Sequence, residues 1–204
     1  ERYGDRLDYY QIWDEPNLSA HWGDQFVEPT AYARLLREGA INLRAADNDT
    51  VILTAALAPT VESGPLNLNE AAFLAGIYAA NATPWFDVVS AQPYGFESEP
   101  TAPPDESSLS FSRAELLRQV MVAHEDGEKP IWFTAFGWSA LPQPWTGEPS
   151  PWPSLAPDRQ AAYTTQAIRH ARANWPWLGP MFFAAWDART LPDDDPRRGL
   201  ALVN

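Results

Sequence analysis

At 204 residues the chain is long enough for one domain with a full core. Its net charge of −13, with Lys129 as the single lysine, argues against a nucleic-acid or anionic-membrane partner, because phosphate binding needs clustered basic residues. Cysteine is absent, which excludes disulfides and thiol chemistry, and no apolar run reaches the roughly 20 residues that span a bilayer.

The first element is a strand over Tyr9 to Trp13, rich in aromatic and β-branched residues and stopped by Pro16, which has no N–H for a ladder. Its tip carries Asp14, Glu15 and Asn17, polar groups that are costly to bury and therefore mark a candidate site. Pro29 opens a helix that runs to about Asp47, with Tyr32, Leu35, Leu36, Ile41 and Leu43 at roughly helical spacing. Val51 to Leu57 reads as a buried strand. Asn69 caps a helix from Glu70 to about Ala80. Phe86 to Ala91 is a third strand, ending in Gln92-Pro93-Tyr94-Gly95. After a proline-rich loop, Ser112 is expected to cap a helix from Arg113 to His124, stopped by Gly127 in a left-handed cap. Pro130 to Phe136 is the fourth strand and ends at Gly137-Trp138. A loop rich in Pro, Trp and Gly follows, then a helix opening at Asp158 and ending near Asn174. Met181 to Trp186 is the fifth strand, ending at Asp187. The rest reads as loop and the start of a further element.

Strands alternating with helices predict a parallel sheet covered by helices, an α/β fold. Neither GxGxxG nor GxxxxGK[ST] occurs, which argues against a nucleotide fold. Polar and aromatic residues instead collect after every strand, as they do at the C-terminal face of a (β/α) barrel. His21 follows the acidic tip and reads as a hydrogen-bonding wall; His124 and His170 read as helix surface. Trp145 and Trp152 either pin their loop or contact ligand. The run Asp193-Asp194-Asp195 reads as a solvated loop. With no HExxH or clustered His and Cys, neither a metal nor another cofactor is expected.

These segments resemble a known family. IWDEPN is similar to the IWNEPN motif that closes the fourth strand of the clan A glycoside hydrolases, retaining enzymes on a (β/α)8 TIM-type barrel. FTAFGWS resembles their seventh-strand TEFGWS segment, AQPYG their sixth-strand end, and AAWDA their eighth-strand segment with its stacking Trp. The resemblance implies Glu15 as acid/base and a carbohydrate ligand held by Asp14, Asn17, Gln92, Tyr94, Trp138, Trp186 and Asp187. It also implies an extracellular or cell-surface setting. Ala135 occupies the nucleophile's position, and alanine can neither attack nor donate a proton. Natural loss of the chemistry, an engineered replacement, and rewired catalysis through Asp14 or Asp187 all remain open. A scaffold with no sugar ligand is the non-enzymatic alternative. The chain as a single domain over residues 1–204 would hold roughly the fourth to eighth strand–helix units. The first three would come from the rest of its own protein or from a partner chain.

Overall fold

A computed structural model describes residues 6–203. The order is β1 (Tyr9–Gln11), α1 (Pro29–Ala46), β2 (Val51–Leu53), α2 (Glu70–Ala79), β3 (Val89–Ala91) and α3 (Ala114–Ala123). It continues with β4 (Ile131–Phe136), α4 (Pro157–Asn174), β5 (Leu178–Phe183), β6 (Ala185–Asp187) and β7 (Ala201–Val203). The alternation read from the sequence is present; β1, β2 and β3 are shorter than the apolar runs suggested, and the expected strand Met181 to Trp186 is divided between β5 and β6.

The strands form small parallel sheets of two, three and two strands. Tyr10 stands opposite Ile52, Ser90 opposite Trp132 and Phe133 opposite Met181. Isolated parallel bridges, Leu53 to Val88 and Leu57 to Ala91, link β2 to the β3 segment. From β1 to β5 each strand therefore lies beside its predecessor in parallel, the arrangement that strand–helix–strand crossovers produce. One large apolar cluster fills the space against the helices, including Tyr32, Leu36, Ile52, Phe73, Phe111 and Phe133. Tyr9, Trp13, Phe182 and Trp186 remain exposed, and the Tyr9 ring reaches Trp132 at a centroid distance of 5.0 Å. No helix among the described residues is long and apolar enough to cross a membrane.

Three polar devices hold the strand tips. The buried Tyr32 hydroxyl of α1 donates to the Ile12 carbonyl at 3.0 Å and accepts from the Ala55 amide at 2.5 Å, joining the β1 and β2 runs. Asn69 caps α2 as expected, accepting from the Ala72 amide at 2.8 Å. Arg113 and Glu70 form a buried ion pair at 2.5 Å. The same guanidinium donates to the carbonyls of Thr60, Asp105, Glu106 and Ser108, binding two loops together.

Three local expectations are corrected. Ser112 does not cap α3: it lies in a 3-10 turn, Phe111–Arg113, and its hydroxyl turns back to the carbonyls of Pro100 and Ala102. The left-handed residue after α3 is Glu125 (φ 59°), not Gly127, because the helix ends at Ala123 with His124 as its cap. The final segment is ordered into two 3-10 turns, Ala188–Thr190 and Pro196–Leu200, and then β7, which pairs in parallel with β6. Gln160 of α4 anchors this segment by donating to the carbonyls of Trp138 and Gly199, each at 2.7 Å. A Cβ at Gly199 would lie 2.3 Å from the Ser139 Oγ, so only glycine allows this close docking.

Candidate active site

The tip of β1 does not continue as a pleated strand. Trp13 (φ 74°) and Glu15 (φ 48°) take left-handed conformations on either side of Asp14. Non-glycine residues there store strain and cluster at functional sites. Pleat alternation alone would send Asp14 and Glu15 to opposite faces. The two left-handed residues break it, and both carboxylates line one cleft of about 630 Å³. The backbone is held nevertheless: the Glu15 amide donates to the Ala56 carbonyl at 2.9 Å.

Glu15 Oε2 lies 3.1 Å from Nδ1 of His21, which arrives on the same connection. Burial raises the Glu15 pKa above the ordinary carboxylate range; His21 opposes the shift and Asp14 adds to it. Asp14 is raised as well, first by burial, with His21 and the Gln11 amide opposing. Two amides face its Oδ1 atom, Nε2 of Gln92 at 3.1 Å and Nε2 of Gln11 at 3.2 Å. Gln92 and Tyr94, at the end of β3, both line the cleft. Burial raises the Tyr94 hydroxyl pKa, the charges of Glu15 and Asp14 raise it further, and Arg197 opposes them. The Tyr94 ring leans on Trp152 with centroids 5.1 Å apart.

The other sequence candidates lie elsewhere. Asn17 is fully buried and its amide is spent on the main chain: Nδ2 donates to the carbonyls of Ala58 (2.8 Å) and Leu68 (2.9 Å), and Oδ1 accepts from the Ala58 amide. It shapes the loop beneath the cleft rather than facing a ligand. Trp138 is 1% exposed, and its indole donates to the Ser98 carbonyl at 2.9 Å. A Cβ on Gly95 would lie 1.7 Å from its Cε2, so this ring is packed under the β3 tip and is not a platform. Trp186 is 65% exposed and lies outside the cleft lining. Asp187, also outside that lining, is clasped by Arg189, with Nη2 to Oδ2 at 2.6 Å; these hydrogen bonds lower its pKa to about 2. A carboxylate so fully paired is a poor base. Ala135 is half-buried on β4, two residues before the Tyr94–Gly137 bridge, and is not part of the cleft lining.

Arg197 was missed in the sequence. The anchored C-terminal segment carries it to the cleft, where Asp195 holds its Nε and Nη2. Little in PDDDPRRG signals this, because the placement depends on Gln160, far away in the chain, which holds the Gly199 carbonyl. Trp152 was identified only as one of two loop tryptophans; its contact with Tyr94 distinguishes it from Trp145, whose indole donates to the Glu148 carbonyl of its own loop.

No family model matches the sequence, and no curated protein matches it. Solved structures do share its fold. A glucosidase from Croceicoccus marinus superposes with a TM-score of 0.66 at 14% identity, covering 96% of this chain and 36% of that one. The family 51 α-L-arabinofuranosidase AbfB from Bifidobacterium longum gives a TM-score of 0.55 at 14% identity, covering 85% and 37%. A GH2 β-galacturonidase from Eisenbergiella tayi gives 0.50 at 13% identity, covering 86% and 25%. The chain thus spans little more than a third of the length of these proteins at most. Over that span it has a glycosidase-like α/β fold.

Proposed function

We propose that the chain is a sector of a clan A type (β/α)8 barrel, forming a single domain that binds carbohydrate in the Glu15 cleft and lacks standard retaining hydrolysis. The sequential parallel order of β1 to β5 supports the barrel reading, as do the polar groups at their C-terminal tips. The edge of β1 away from β2 and the exposed Tyr9 and Phe182 are the surfaces on which further strand–helix units would close the cylinder. Those units belong to the same protein or to a partner chain.

The observation that carries the functional reading is the placement of the carboxylates. A retaining glycosidase needs two carboxyl groups roughly 5 Å apart, one on each side of the scissile bond. The two that line this cleft, Asp14 and Glu15, share one strand tip, and the family's second position holds Ala135. Glu15, with its raised pKa, keeps the character of a proton donor. Asp14, Gln92, Tyr94 and Trp152 supply hydrogen-bonding groups and an aromatic wall of the kind that carries a sugar.

Calorimetric titration with a panel of oligosaccharides tests the proposal. Saturable binding of at least one glycan is expected, with no turnover of aryl glycosides. If no glycan binds, the reading is wrong. Installing the missing group by Ala135→Glu is expected to produce turnover. Glycan binding with no turnover in that variant would remove position 135 from the nucleophile's role.

A further inference from the structure

The Glu15 cleft carries charges of both signs, brought by two distant parts of the chain. Asp14, Glu15 and His21 line it from the β1 tip and its connection, and Arg197 lines it from the C-terminal segment. Arg197 is the only arginine or lysine among the described lining residues. Its guanidinium is held on one side alone: Asp195 accepts from Nε at 3.0 Å and from Nη2, and also from the Arg197 amide at 2.8 Å. Nη1 has no partner among the described residues, which leaves two N–H donors of the planar fork uncommitted.

The donor is held in place by more than Asp195. Arg197 sits in the 3-10 turn Pro196–Leu200, where Arg198 donates to the carbonyls of Ala188 and Leu191 and Gln160 donates to that of Gly199. A group fixed in this way loses little freedom when a ligand arrives. Tyr94 supplies a neighbouring donor on the same cleft: it lies near enough for the Arg197 charge to act on its hydroxyl, which burial keeps protonated. Asp14 and Glu15 face the same space, but burial raises both pKa values and so weakens the negative charge that would repel an anion. The chain's net charge of −13 acts mostly from beyond the screening length of about 8 Å at physiological salt.

We propose that the Glu15 cleft takes an acidic glycan, with the carboxylate of a uronic acid residue received by Nη1 of Arg197 and the hydroxyl of Tyr94. This assignment rests on the carbohydrate reading of the same site and narrows it to charged sugars. A carboxylate has two oxygens in one plane, one for the N–H donor and one for the O–H donor, and charge-assisted hydrogen bonds of this kind are the strong ones. The three oxygens of a sulfate ester exceed what this pair supplies. A neutral sugar leaves the free edge of Arg197 without an anion, so the cleft separates the two classes.

The test is calorimetric titration with oligosaccharide pairs that differ only at C6: oligogalacturonate against its methyl ester and against the neutral galactose oligomer, and the same series built on glucose. The free acid is expected to bind at least about tenfold tighter than either uncharged form, the gain from one hydrogen bond to a charged group. Arg197→Gln is expected to erase that preference while leaving the affinity for the neutral oligomer within about twofold. Circular dichroism identifies a variant that fails to fold; Arg197→Lys, which keeps the charge and the Asp195 partner, then takes its place and is expected to reduce the preference. Arg189→Gln, outside the cleft lining, is expected to leave the preference unchanged. Neutral and acidic forms binding alike, Arg197→Gln weakening both equally, or a sulfated oligomer binding tighter than the uronate would each overturn the assignment while leaving the carbohydrate reading standing. Failure of every glycan, charged and neutral, would overturn both.

Discussion

Nδ1 of His21 and Oε2 of Glu15 stand 3.1 Å apart, so the basic group paired with this half-buried carboxylate comes from its own connection, six residues along. This partner only partly offsets burial, and both Glu15 and Asp14 keep raised pKa values. The folded state therefore holds protons that the unfolded state has released. Folding stability falls as pH rises from the ordinary carboxylate range, about 4, through the raised folded values. Glu15→Gln and Asp14→Asn remove that penalty. Both variants are expected to melt at a higher temperature than the parent near pH 7, with the difference closing near pH 4. Thermal unfolding across this range checks it; a constant difference at every pH would contradict it.

Asn17→Ala separates a structural role from a ligand role. Three main-chain hydrogen bonds disappear in a fully buried place, at a cost of about 2–4 kcal/mol. Urea unfolding is expected to report that loss. An unchanged midpoint with weakened glycan binding would instead return Asn17 to the ligand.

Arg113→Met is expected to cost about 3–5 kcal/mol, because it leaves Glu70 charged and unpaired in the core. Adding Glu70→Leu does not restore the parent stability, since the carbonyls of Thr60, Asp105, Glu106 and Ser108 still lack their donor. Chemical unfolding of the single and double variants measures both effects.

Gly95→Ala places a methyl group inside the Trp138 ring. The overpacking is expected to cost about 3 kcal/mol or more. A melting temperature equal to the parent's would show that Trp138 can leave its pocket.

Trp152, on the cleft wall, and Trp186, the stacking residue implied by the resemblance, should part company. Trp152→Ala is expected to weaken glycan binding by about tenfold, the size of a good aromatic contact. Trp186→Ala should leave it unchanged, since that ring lies outside the cleft lining. Titration of both variants with the same glycan decides it.

The sequence makes element type and order legible where a local signal is strong. Pro29 and Asn69 mark helix starts that the structure keeps, and the apolar runs mark β1 to β5 in the right order. It is less informative about direction. Ser112 has the chemistry of a cap, yet its hydroxyl finds the Pro100 and Ala102 carbonyls first. Trp138 has the surface of a platform, yet the space above Gly95 takes it into the core. Asn17 and Asp14 look equivalent at one strand tip, and only the tertiary partners, Ala58 and Leu68 for one and Gln92 for the other, distinguish them. Arg197 was invisible because its position depends on docking rather than on neighbours in the chain.

That docking has a temporal side. Neighbouring strands in this fold are successive in the chain, so the sheets can zip together unit by unit as the polypeptide lengthens. The cleft cannot. Glu15 is made well before Arg197, and the wall between them exists only once Gln160 has caught the segment around Gly199. The strands from β1 to β5 can therefore pair before the cleft has its wall, and a ligand meets its full binding site only after that last docking step.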